Sequence, residues 1–347
     1  MHQSGAKILV TGGMGYIGSH TVVQLIERGY RVVIADNLCN SNVNILERIE
    51  LISKVKPKFY NIDLCKKDEL VSLFRAEEDI AAVIHFAALK AVGESVQHPV
   101  RYYRNNLDSL LNLLVVQQEF NVNQLVFSSS CTVYGEPDLL PVSEASPIKL
   151  ATSPYGNTKQ IGEEIIKDQC LAVPLRSIAL RYFNPVGAHD SALIGELPSG
   201  TPNNLVPYIT QTAIGKQEFL RVFGNDYSTP DGTCIRDYIH VDDVASAHIA
   251  ALERLLNPES VNSPFEVFNI GTGQGNTVLE VIRAFEQASN QQLPFKFMPR
   301  REGDIEKVYA DTTLSNSVLN WKAKKNLYTM MASAWEWEKN MKTNPLL

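Results

Sequence analysis

The chain has 347 residues, 44% of them apolar, which suffices for one large core or for a core plus a satellite domain. Its 32 basic and 38 acidic residues leave a net charge of −6, and its densest basic stretch, Trp321–Lys325, reads as a solvated face, so nucleic acid is not an expected partner. The apolar run Ile8–Val10 is too short for a signal peptide or membrane anchor; Met1–Ala6 reads as a short tail, and a cytoplasmic protein with no membrane partner is expected.

Short apolar runs and helix-like segments alternate through the first half. Strands are expected at Lys7–Thr11, Arg31–Ala35, Lys58–Asn61, Ala82–His85, Gln124–Phe127 and Leu175–Arg181. Helices are expected at Ile17–Arg28, Lys67–Arg75, Val100–Glu119 and Pro154–Cys170. This alternation implies an α/β fold, a Rossmann-type doubly wound parallel sheet with helices on both faces. After Phe183 the rhythm breaks, and helices near Leu205–Ile214, Val241–Leu255 and Val278–Ala288 suggest a smaller C-terminal α/β substrate domain. The expected division is 7–183 and 184–347, with later segments such as 236–271, including a strand at Glu266–Ile270, returning to the first domain. In the segment 100–119, Leu107, Leu110, Leu111, Leu114 and Val115 form a core stripe, with Leu113 and Val116 off it. A helix apolar on two sides must bury both, so one face is assigned to a neighbouring helix or a second copy, a homodimer.

The first strand runs directly into Thr11-Gly12-Gly13-Met14-Gly15-Tyr16-Ile17-Gly18 and then a helix. Glycines suit this position because the turn is tight and a pyrophosphate approaches bare backbone at a helix N-terminus. Asp36 closes the second strand; a carboxylate there binds ribose hydroxyls and repels a 2′-phosphate, which favours NAD over NADP. Asn37 and Asn40 follow in a loop able to reach that ribose, or simply form its turn. Asp63 and Phe86-Ala87 lie at carboxyl ends of strands, where such sheets bind ligands. The second glycine cluster, Gly271–Gly275, has the wrong spacing for a dinucleotide; Thr277 and Glu280 make it a turn before a capped helix.

Downstream of Ser128-Ser129-Ser130-Cys131-Thr132 lies Tyr155, with Lys159 four residues on. Residues at this spacing share a helix face, so ammonium and phenol can converge on one site, where a nearby cation lowers the phenol pKa. Cysteines 39, 65, 131, 170 and 234 show no paired spacing and read as reduced thiols; His240 and His248, eight apart, do not suit a metal, and none is expected.

These motifs resemble the extended short-chain dehydrogenase/reductases. The runs Arg181–His189, Pro202–Leu205, Phe223–Tyr227, Asp231–Val241 and Arg300-Arg301-Glu302-Gly303-Asp304 narrow the resemblance to the UDP-glucose 4-epimerase family. The resemblance implies that Tyr155 takes the proton of the sugar 4-OH while NAD receives the hydride, the 4-keto sugar rotates, and the same hydride returns to its other face. It places Lys159 on the nicotinamide ribose, Ser130 and Thr132 on the reacting oxygen, and Tyr182 beside the nicotinamide. Tyr16, Ile17, Lys90 and Asn105 join the cofactor set, with NAD retained between turnovers. Asn184, Asn204, Leu205, Phe223, Arg236, Arg301 and Asp304 would hold the UDP-hexose. Val308 falls at the pocket-gating position, where a small residue implies additional activity on N-acetylated UDP-hexoses.

Alternatives remain at single residues. Ser128 suits strand-end hydrogen bonding, Tyr134 packing, Arg300 solvent, and Arg236 an ion pair with Asp237 or Asp242. A sugar-nucleotide 4,6-dehydratase or UDP-glucuronate decarboxylase shares fold and cofactor, but Cys131-Thr132 lacks the acidic residue that those chemistries need. A non-enzymatic dinucleotide sensor is the reading from another class.

Overall fold

A computed structural model of the chain describes residues 5–198, 200, 202–301 and 304–346. Met1–Ser4 of the tail and Glu302-Gly303 of the arginine run lie outside the described residues. Strands β1 (Lys7–Thr11), β2 (Arg31–Asp36), β3 (Lys58–Asn61), β4 (Ile80–His85), β5 (Gln124–Ser128) and β6 (Arg176–Tyr182) form a parallel sheet with the edge strand Phe265–Ile270. Spatial order is Phe265–Ile270, β6, β5, β4, β1, β2, β3. The order reverses at β1, which pairs with β2 on one side and β4 on the other; ligands bind outside the carboxyl ends at such a point. The doubly wound sheet expected from the alternation is therefore present, with Glu266–Ile270 returning to it.

Both faces of the sheet are covered, and β1 shows why its run is continuously apolar. Ile8 and Val10 pack on one side with Val22 and Val23 of the helix Tyr16–Glu27 and Val244 of the helix Val241–Leu256. Leu9 packs on the other with Leu70, Leu113 and Ile166 of the opposing helices. Fully burying such side chains contributes about 1.5–3 kcal/mol each. A third core joins Val206, Ile209, Val222, Phe285, Met331 and Trp335 in the later part of the chain. Among the described residues, no helix is long and apolar enough to cross a membrane.

The segment 100–119 departs from expectation. It divides into Pro99–Tyr103, a π-helical turn Arg104–Asp108 and the helix Ser109–Glu119. The wide turn inserts a residue and rotates everything after it. Leu110, Leu113, Leu114 and Val116 are consequently the buried set, whereas Leu111 and Val115 are exposed.

Candidate active site

The glycine turn is built by close approach. Gly12 has φ +70°, and a Cβ on it would lie 2.7 Å from the Ala87 nitrogen; one on Gly18 would lie 2.2 Å from the Gly12 carbonyl oxygen. Gly15 is the N-cap of the helix that begins at Tyr16 and Ile17, with no side chain capping it and no acidic residue in the first turn. Its N–H groups thus meet the requirement for an anion. Asp36, at the end of β2, is buried; its Oδ2 accepts from Met14 N, and its Oδ1 from Leu38 N and Ser41 Oγ. Burial raises its pKa, opposed by those three donors. Loop, carboxylate and β4 end, where Phe86 N donates to the Thr11 carbonyl, fit a dinucleotide at the switch point.

The other residues expected at the cofactor have definite local engagements. Asn37 and Asp63 each cap the backbone two residues on, and Asn40 is exposed. Asn105 lies in the π-helical turn and donates to Asn106 Oδ1. The Tyr16 hydroxyl donates to the Gly187 carbonyl at 2.6 Å, and the Lys90 ammonium sits 5.7 Å from the Tyr16 ring. Lys90 also pairs with Glu196, which accepts from Asn204 Nδ2, so a residue expected at the cofactor and one expected at the substrate share one carboxylate.

At the end of β5 the chain passes Ser128, Ser129 and Ser130 into the short 3-10 turn Cys131–Tyr134, with the Ser130 hydroxyl accepting from Thr132 N. The helix Pro154–Ala172 starts opposite, with Ser153 as N-cap and Pro154 in its first turn. It carries Tyr155 and Lys159 on one buried face, as the spacing requires. Lys159 Nζ donates to the Ser128 carbonyl at 2.8 Å and lies 4.9 Å from the Phe127 ring and 6.0 Å from that of Tyr155. The Ser128 hydroxyl donates to Tyr182 OH at 3.1 Å, which makes Ser128 a strand-end hydrogen bonder. Thr132 Oγ1 is buried without a hydrogen-bond partner, an open polar atom at the centre of the arrangement.

The electrostatics correct one expectation. Burial holds the Tyr155 phenol well above its ordinary pKa, with Tyr182 adding to the rise and a hydrogen bond with Ser130 opposing it. Burial lowers Lys159 to about 8, against an upward pull from Glu163. The lowering of the phenol pKa expected from Lys159 is outweighed by desolvation in the protein alone.

The residues expected on the substrate side come from the later part of the chain. Arg236 lies 3.7 Å from Asp304, not paired with Asp237 or Asp242. Asp237 is instead consumed within the fold: it accepts from Thr272 N and Oγ1, Gly273 N and Ala310 N. A Cβ on Gly271 would sit 2.5 Å from its Oδ2, and Thr277 and Glu280 form the capping box, so the second glycine cluster is a structural turn. Arg301 stacks on Phe223 at 4.4 Å. Arg300 is half-exposed but bound, to Asp226 at 2.7 Å and over the Tyr227 ring. Asn184 opens a short strand whose N–H donates to the Asp237 carbonyl, and Asn204 is the N-cap preceding Leu205. Val308 pairs in register with Arg236 and is buried with Val133, Tyr134 and Phe183. Tyr134 is packed as expected, yet its hydroxyl also donates to Asn269 and accepts from Arg181. Glu163, buried beneath the turn Cys131–Tyr134 and paired with Arg181, was not singled out by motif; the continuing four-residue spacing Tyr155, Lys159, Glu163 is the signal that points to it.

The chain is 50% identical over 334 residues to the UDP-glucose 4-epimerase of Haemophilus influenzae, covering 96% of this chain and 97% of that protein. Among solved structures it is similar to the UDP-glucose 4-epimerase of Stenotrophomonas maltophila with bound NAD and formylated UDP-arabinopyranose, with TM-score 0.94, 47% identity and coverage of 97% and 99%. The Bifidobacterium longum enzyme in complex with NAD+ and UDP gives TM-score 0.91 at 45% identity, covering 98% and 99%. With residues 8–271 matching it directly, the chain belongs to the NAD dependent epimerase/dehydratase family.

Proposed function

We propose that the protein is a UDP-glucose 4-epimerase that interconverts UDP-galactose and UDP-glucose with tightly held NAD. The observation that carries this reading is the meeting of Tyr155, Lys159 and Ser130 at the carboxyl end of β5, on the same sheet edge as the glycine turn and Asp36. Gly12, Gly15 and Gly18 with the first turn at Tyr16 and Ile17 hold the pyrophosphate; Asp36, Asn37 and Asn40 face the adenosine ribose. Asp63, Phe86, Ala87, Lys90 and Asn105 complete that side, and Lys159 and Tyr182 hold the other. Bound NAD supplies the acceptor for the C4 hydride and, when oxidised, the positive charge that the buried phenol lacks. Tyr155 then removes the 4-OH proton and later returns it, with Ser130 relaying or orienting it and the open Thr132 hydroxyl holding a sugar oxygen. Arg236 and Arg301 bind the diphosphate, with Asn184, Asn204, Leu205, Phe223 and Asp304 around the nucleotide. Firm UDP anchoring and loose hexose contacts let the 4-keto sugar turn over between the two half-reactions. The test is incubation of purified protein with UDP-galactose and no added cofactor: UDP-glucose without NADH build-up is expected, and a 4-keto-6-deoxy product or no product refutes the reading.

The small side chain at Val308 supports turnover of UDP-N-acetylglucosamine as well, and its failure to convert while UDP-glucose converts would sink that extension. Exposed Val100, Leu111 and Val115 support a homodimer, tested by a sedimentation mass at micromolar concentration. The five cysteines are all free, which suits the cytoplasm, with a small-molecule substrate and neither nucleic acid nor membrane as partner. The division into a cofactor domain at 7–183 and a substrate domain from 184 belongs to the same proposal, supported by the separate core around Phe285 and Trp335.

A further inference from the structure

Glu163 is the third residue in the row Tyr155, Lys159, Glu163, one helical turn beyond the lysine. Its carboxylate is buried and fully engaged. Ser129 Oγ donates to Oε1 at 2.5 Å, and Arg181 donates through Nε to Oε1 at 3.0 Å and through Nη2 to Oε2 at 2.5 Å. Arg181 also donates through Nη1 to Tyr134 OH at 3.0 Å. Ser129 immediately precedes Ser130, and Tyr134 ends the turn that Ser130 caps. The carboxylate therefore grips both ends of the segment bearing Ser130 and Thr132, directly at one end and through Arg181 at the other.

A buried ion pair by itself adds little net stability and is often replaceable by apolar side chains of similar size. This one touches the turn that faces the reacting oxygen. We propose that Glu163 is a positioning residue for proton transfer: it fixes Ser130 and Thr132 against Tyr155 and holds a negative charge one turn behind Lys159. The proposal rests on the epimerase reading above.

The surroundings of Lys159 single out this carboxylate. Tyr155 and Glu163 face it from its own helix, His85 from β4, His248 from the helix Val241–Leu256, and the Ser128 carbonyl from β5. Arg181 of β6 is paired to Glu163. Burial keeps both histidines neutral at ordinary pH, so Glu163 is the negative member of this set and the group that supports the lysine charge against desolvation.

The test compares Glu163→Gln, Glu163→Asp and Ser129→Ala with the wild-type holoenzyme in UDP-galactose conversion across pH. For Glu163→Gln, kcat is expected to fall about ten- to a hundredfold, as for a small misplacement of reacting groups, with KM within about twofold. The alkaline limb of its kcat profile moves to lower pH, because Lys159 loses its supporting charge. Glu163→Asp keeps the charge and restores the limb, whereas Ser129→Ala lowers kcat and leaves the limb in place. If Glu163→Gln does not fold, the double variant Glu163→Gln/Arg181→Met, which leaves no unpaired charge, carries the same expectations. An active wild type with an unshifted limb and unchanged kcat in the folded variant overturns the proposal alone; an inactive wild type overturns the epimerase reading itself.

Discussion

Replacing Gly18 with alanine sets helix propensity against close packing, and the structure says which should win. Gly18 is in the first turn of the helix Tyr16–Glu27, where alanine is favoured over glycine by up to about 1 kcal/mol. The new Cβ would lie 2.2 Å from the Gly12 carbonyl oxygen, 2.9 Å from Gly13 Cα and 3.0 Å from the Gly12 carbonyl carbon. All three are backbone atoms, so no rotamer relieves the contact, and reaching ordinary separation moves the turn by about 1 Å. Overpacking of this kind costs about 1–3 kcal/mol. The net stability change is then a loss of about 0–2 kcal/mol, read from urea unfolding of the cofactor-free chain. Binding suffers more, because the displaced backbone is the proposed phosphate cradle. Losing one hydrogen bond to a charged oxygen costs about 1.5–3 kcal/mol, or roughly ten- to a hundredfold in NAD affinity. Bound cofactor released by acid and quantified per chain reads this directly. Gly93→Ala is the control, since nothing lies within 4 Å of its Cβ. A Gly18→Ala protein that gains about 1 kcal/mol and keeps full NAD would refute the close-approach argument.

Tyr155→Phe keeps the ring and removes the proposed proton carrier; kcat should fall about a hundred- to ten-thousandfold while bound NAD is retained, and activity within a few-fold of wild type would place the base elsewhere. Arg236→Met removes the proposed diphosphate ligand and the partner of Asp304, so KM for the UDP-sugar should rise about tenfold or more, whereas unchanged KM would make the arginine purely structural. His20, His240 and His248 are held at about 4 and His85 at about 3 by burial. These folded-state values are depressed below about 6.5, so the unfolded chain takes up protons first and stability falls as pH drops from about 6.5 towards 4. The urea midpoint measured through that window should decline steadily, and a flat profile would contradict the burial of these rings.

Strands and the glycine turn were legible because their signals are local. An apolar run ending in a glycine turn needs no distant partner to be recognised, and β1 and β3 match their expected limits. Segment 100–119 was misphased because a π-helical turn leaves no mark in apolar spacing, and a single inserted residue exchanges Leu111 and Val115 for Leu113 and Val116. The ion-pair alternative for Arg236 named the wrong carboxylates because sequence proximity favoured Asp237, whereas the fold spends Asp237 on the turn at Gly271 and brings Asp304 across. Arg300 is exposed as expected, and what its own neighbourhood does not announce is its ion pair with Asp226. Glu163 needed Ser129 and Arg181 in place before its role could be read.

The short pairings in the later part of the chain also govern when the proposed site can exist during synthesis. Val142 bridges Ala310, Ile235-Arg236 pairs with Lys307-Val308 and with Asn276-Thr277, and Tyr238–His240 pairs with Asn184–Val186. Contacts this distant form late, since the intervening loops must close first. A ribosome that has released the chain only as far as Tyr182 has made β1 to β6 and the glycine turn, but neither the edge strand nor the later pairings. The nascent chain would acquire its cofactor cradle well before it could recognise a sugar nucleotide, and the final forty or so residues decide when the two are joined.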